Sequence, residues 1–110
     1  MLSSEDLERD IEWYMQMLGF QILQVETKFA LIQRGDFFIH LQKQKADSKT
    51  LIGGSVAKFF VDDIQIIFYE LVNKNLINED QLVSDPASGT IEFEISDPSG
   101  NTIIFIEENR

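Results

Sequence analysis

The run Thr90-Ile91-Glu92-Phe93-Glu94-Ile95-Ser96-Asp97-Pro98-Ser99-Gly100-Asn101-Thr102-Ile103-Ile104-Phe105-Ile106-Glu107 decides the fold. Ile91, Phe93 and Ile95 alternate with Glu92 and Glu94, the period of two that turns one face of a strand to a core and the other to solvent. Asp97-Pro98-Ser99-Gly100-Asn101 then lines up five turn formers, and a second apolar strand starts at Thr102. The pattern predicts a hairpin over residues 90–107.

The same design occurs once more upstream. Residues 28–34 and 37–43 are short runs rich in β-branched and aromatic side chains, with Gly35-Asp36 between them and a weaker strand at 20–26 before them. Ahead of these, Leu7, Ile11, Tyr14, Met15 and Leu18 share one helical face, with Glu8, Arg9 and Glu12 opposite. Ser3, Ser4 and Asp6 are candidate caps, and Gly19 stands where a left-handed terminating residue belongs. In the second half, residues 56–61 read as a strand, Asp62 or Asp63 as a cap, and Ile64, Ile67, Phe68 and Leu71 as the stripe of a second helix. Residues 43–54 are polar and small and resemble a linker.

The halves superpose as an internal repeat inside one domain over residues 1–110: a first module at 1–46 and a second at 54–110. The second opens with a strand and reads βαβββ. The first has only residues 1–5 in that place and reads αβββ, its first strand largely missing. A bare sheet edge leaves unpaired backbone groups, so either a partner chain covers it or the natural chain begins earlier. A chain of 110 residues buries roughly 60–68% of its unfolded surface, so the halves are expected to pack together.

Nine basic and 19 acidic residues give 9 − 19 = −10, which repels nucleic acid and suits a cationic ligand or simple solubility. With no cysteine there is no disulfide framework, thiolate nucleophile or cysteine-bound metal. No window approaches a membrane span, and the opening residues have no basic or apolar run, so a cytoplasmic protein without membrane partner is expected.

Asp6-Leu7-Glu8-Arg9-Asp10-Ile11-Glu12-Trp13-Tyr14, Leu18-Gly19-Phe20, Val61-Asp62-Asp63-Ile64 and Asp97-Pro98-Ser99-Gly100-Asn101, in this order and in two copies, resemble the vicinal oxygen chelate superfamily of glyoxalases, bleomycin resistance proteins and extradiol dioxygenases. The resemblance covers nearly the whole chain. It implies an α+β fold of paired βαβββ modules whose sheets curl around a cleft, often completed by a second subunit. Residues 29–36 followed by Phe38-Ile39-His40-Leu41 look most like the bleomycin resistance branch, whose members are acidic dimers that sequester a cationic glycopeptide unchanged.

Metal-dependent members hold one divalent ion with four His, Glu or Gln side chains. Carried over by position, these fall in the missing strand, at His40, near Val56 and at Ile104, so His40 is the one surviving candidate. An imidazole alone does not hold a divalent ion, and Val56 and Ile104 offer no lone pair. The expectation is no metal and no cofactor, with a shifted site of His40 and Glu92 or Glu94 as the exception.

If His40 faces the cleft, Phe38 and Gln42 do too, while Phe37, Ile39 and Leu41 lie under a helix. On the last strand Thr102, Ile104 and Ile106 match that side, with Ile103 and Phe105 in the core. Ile91, Phe93 and Ile95 form a core set, which leaves Glu92 and Glu94 outside; Val56, Lys58 and Phe60 share the cleft side of their strand. The expected ligand-binding set is Phe38, His40, Lys58, Phe60, Glu92, Glu94 and Ile104. Aromatic faces take flat cations, and carboxylates add charge-assisted contacts. The plain alternative for Glu92 and Glu94 is a solvated face with Lys58 pairing to one.

Two functions remain open at this point, beside the plainer reading of a family relative with an unknown endogenous ligand and no resistance role. One is a non-catalytic homodimer that captures a cationic aromatic small molecule. The other is a lyase, isomerase or dioxygenase of the same superfamily, in which a metal polarises vicinal oxygens.

Overall fold

The computed structural model describes residues 2–44 and 54–108. Most of the linker-like stretch and the last two residues lie outside the described residues. The chain divides into two compact units. One holds the chain up to Val56 together with Ser96–Thr102; the other holds Ala57–Ile95 and the chain from Ile103.

The first unit runs β1 (Leu2–Ser4), α1 (Leu7–Leu18), β2 (Gln21–Val25), β3 (Phe29–Arg34) and β4 (Phe37–Lys43). These strands form a sheet in the order β1-β4-β3-β2. Asp6 caps α1 by accepting from the Arg9 N–H at 3.2 Å, and Glu8 and Asp10 complement the helix dipole in the first turn. Gly19 ends the helix at φ 70°, a conformation that costs a side chain strain, and the guanidinium of Arg34 donates to the Leu18 carbonyl at 2.6 Å beside it.

The opening strand is short rather than missing. Leu2–Ser4 pairs in parallel with Leu41–Lys43, so the first module is βαβββ and the β4 edge expected to be bare is covered within the chain. Three residues are too few to show a period of two, and what fixes them is tertiary: Leu2 and Ser4 are both buried.

The second sequence repeat supplies β5 (Val56–Phe60), α2 (Ile64–Asn73), a 3-10 turn at Glu79–Gln81, β6 (Val83–Asp85), β7 (Thr90–Ser96) and β8 (Thr102–Glu108). Its sheet is ordered β5-β8-β7-β6. Asp63 caps α2, accepting from the Gln65 N–H at 3.1 Å, and the Glu107 carboxylate accepts the Ile64 N–H at 2.9 Å. Each unit buries its own apolar set. Tyr14, Leu18, Ile32 and Leu41 fill the first; in the second Phe68 meets Phe93 edge-on and Phe93 stacks on Phe105, with ring centroids 5.3 Å apart at each step. Among the described residues no helix is long and apolar enough to cross a membrane.

Candidate functional site

In the first unit, Ala30 faces Leu41 and Ile32 faces Ile39 across β3 and β4, and all four are buried. The alternate pairs Phe29–Gln42, Leu31–His40 and Gln33–Phe38 therefore lie on the other side of the sheet. Phe38 is 55% exposed, and His40 is exposed with its ring centroid 5.2 Å from that of Phe29. The strand period fixed this face in the sequence; the Phe29 contact comes from pairing with β3. An exposed phenylalanine beside an imidazole and a second aromatic ring offers a flat ligand a surface to stack on.

In the second unit, Phe93 and Ile95 are buried and Glu92 and Glu94 are exposed, as the alternation predicts. Val83 of β6 stands opposite Glu92. Val83, Glu92, Phe93, Glu94 and Ile104 line a cavity of about 250 Å³, so both carboxylates border an aliphatic hollow. Lys58 and Phe60 are exposed on β5 on either side of the buried Phe59, and Phe60 is 57% exposed. Among the described residues no ion pair joins Lys58 to Glu92 or Glu94. Ile106, expected on the open side with Ile104, is buried.

A larger groove of about 600 Å³ lies on the first unit, lined among others by Leu7, Arg9, Ile11, Val25, Glu26 and Lys43, and none of the expected site residues borders it.

The donor set does not fit a divalent metal. Across the strand from His40 stands Leu31, and the ring beside it is Phe29. Among the described residues no three His, Cys, Asp or Glu side chains converge on one point. His40 belongs to the first unit, and Glu92 and Glu94 to the second.

Sequence reasoning missed a buried polar network in the first unit. Asp10, which belongs to neither the apolar stripe nor the polar face read from the helical spacing, is fully buried and accepts from Ser4 Oγ at 2.6 Å, from Ser99 Oγ, and from Arg9 Nε at 3.1 Å. The backbone N–H of Glu5 donates to Ser99 Oγ at 2.9 Å. Asp97 accepts the phenol of Tyr14 at 2.6 Å, the N–H groups of Ser99 and Asn101 at 3.0 and 2.8 Å, and the Asn101 amide at 3.0 Å. Burial, aided by the bond to Asp97 and its charge, pushes the Tyr14 phenol far above the ordinary tyrosine range. The Asp97–Asn101 turn is thus a buried clamp on β1 and α1 as well as a hairpin end. Its signal was present in the density of capping residues, but which acid they serve depends on the packing.

A family model described as Glyoxalase/Bleomycin resistance protein/Dioxygenase superfamily matches residues 1–105. No curated protein matches the chain by sequence. Among solved structures, the chain is similar to a bleomycin resistance determinant encoded on the transposon Tn5, with TM-score 0.82 and 17% identity over 99% of this chain and 94% of that one. It is similar to a bleomycin-binding protein from Streptomyces verticillus, complexed with copper(II)-bleomycin, with TM-score 0.78 and 20% identity over 99% and 92%. A lactoylglutathione lyase from Agrobacterium tumefaciens gives TM-score 0.75 and 19% identity over 96% and 88%. At these identities the likeness establishes the α+β fold.

Proposed function

The chain belongs to the glyoxalase/bleomycin resistance protein/dioxygenase superfamily, and on that premise we propose that it is a non-catalytic binding protein that captures a cationic aromatic small molecule. It works as a homodimer in the cytoplasm. In this reading Phe38 and His40 offer an aromatic surface on the first unit, while on the second unit Phe60 adds an aromatic face, Glu92 and Glu94 the negative charge, Ile104 an aliphatic wall and Lys58 the rim. The observation that carries this reading is the exposure of Phe38 on a sheet face shared with His40 and Phe29, since large apolar groups left open in a small acidic protein mark a binding surface. Two fold relatives bear bleomycin in their names, which makes metal-free bleomycin the first probe.

Calorimetric titration with that probe at two salt concentrations tests the proposal. The expected result is saturable binding near one ligand per chain that weakens as salt screens Glu92 and Glu94. Binding that is absent, or that is unchanged in both Phe38→Ala and the double variant E92Q/E94Q, would overturn it.

A further inference from the structure

The groove of about 600 Å³ on the first unit plays no part in the capture reading, yet its lining is sorted by chemistry. Leu7 and Ile11, one turn apart on α1, give it an apolar wall. Val25 stands opposite the fully buried Ala30 and so turns to the same, helix side of the sheet. Because β2 ends that sheet, Val25 stays 50% exposed and the apolar floor is left open.

The charges around this floor come from two separate elements. Glu5, Asp6 and Glu8 lie at the start of α1, and Glu26 follows β2, so negative charge reaches the groove from the helix and from the sheet. Of the two cations in the lining, Arg9 is answered from beneath: its Nε donates to the buried Asp10 at 3.1 Å and its Nη2 to Ser99 Oγ at 3.2 Å. That leaves Lys43 against four carboxylates, 1 − 4 = −3. Among the described residues the Glu5 and Glu8 side chains make no hydrogen bond or ion pair. Acids spread over a polar surface serve solubility, whereas acids around a concave apolar floor focus a field on whatever cation enters.

We propose that this groove is a second binding site, for a linear aliphatic polyamine. The methylene chain lies on Leu7, Ile11 and Val25, as a lysine stem lies on apolar surface, while the ammonium groups reach Glu5, Glu8 and Glu26. The surplus of three negative charges favours a polycation over a monoamine, and the volume is that of a small-molecule site. No aromatic side chain stands among the described lining residues, so nothing there stacks a flat ring. This separates the ligand from the aromatic cation assigned to Phe38 and His40, which lie on the other face of the sheet. The site goes beyond the capture reading and does not depend on it.

Calorimetric titration of the full chain with spermidine, a linear triamine, tests the proposal, with n-butylamine as a monoamine of similar stem. Spermidine is expected to saturate at one per chain, at least about ten-fold tighter than n-butylamine, and to weaken as salt is added. Amide NMR shifts on titration should centre on residues 5–11 and 25–27. The double variant E8Q/E26Q should lose at least about ten-fold in affinity, whereas E79Q/D80N, which removes the same charge from the 3-10 turn, should change it less than about two-fold. Spermidine at saturation should leave the titration with metal-free bleomycin unchanged. No saturation, equal affinity for both amines, an equal loss in E79Q/D80N, shifts centred on Glu92 and Glu94, or mutual displacement with bleomycin overturns the proposal. Failure of one titration alone sinks only its own reading.

Discussion

Replacing Tyr14 by phenylalanine removes one buried hydroxyl and leaves the ring in place. The phenol donates at 2.6 Å to Asp97, and a hydrogen bond to a charged acceptor contributes about 1.5–3 kcal/mol. Asp97 keeps its bonds from Ser99 N–H, Asn101 N–H and the Asn101 amide, so the carboxylate is not orphaned and the loss stays at about 2 kcal/mol. With a urea slope of about 1–2 kcal/mol/M, the midpoint falls by about 1–2 M. Fluorescence of Trp13, the sole tryptophan, follows the transition from 5.0 Å away. Alkaline pH adds a second readout. The folded chain holds the Tyr14 proton where the unfolded chain releases it at about pH 10. This contribution is therefore complete below about pH 10 and is lost at up to about 1.4 kcal/mol per unit as pH climbs toward the raised folded-state value. Tyr14→Phe should remove that part of the alkaline slope. A variant as stable as wild type within about 0.5 kcal/mol, with the slope intact, would refute the clamp.

Asp10→Ala strips the acceptor from Ser4 and Ser99 and should cost about 3 kcal/mol in urea unfolding, whereas Glu8→Ala on the exposed side of the same helix should stay within about 0.5 kcal/mol. Gly19→Ala forces a side chain to φ 70° and sets its Cβ 2.9 Å from the Arg34 guanidinium; a loss of about 1–2 kcal/mol in thermal or urea unfolding is expected, and no loss would show that the helix end relaxes freely. Phe38→Ala should leave stability within about 0.5 kcal/mol, because the ring is exposed, and lower affinity for metal-free bleomycin at least about ten-fold by calorimetry.

Periodicity alone determined a good deal about this protein. The helix stripes, the alternation on β4 and β7, and the repeated order of helix and hairpin are local patterns, and a local pattern fixes which side chains share a face. That is why Phe38, His40, Glu92 and Glu94 were legible as outward residues before any coordinates. Tertiary structure decided what no window of sequence contains. A three-residue β1 has no period to read and exists through its parallel pairing with β4. Asp10 looks like any helix acid until Ser4 and Ser99, 89 positions apart from it in the latter case, fold onto it. The exposed β2 looks like an ordinary strand until the sheet order leaves it at the edge. Burial and neighbourhood are long-range properties, settled by which chain segments meet, and the chemistry of a buried acid or an open edge follows from them.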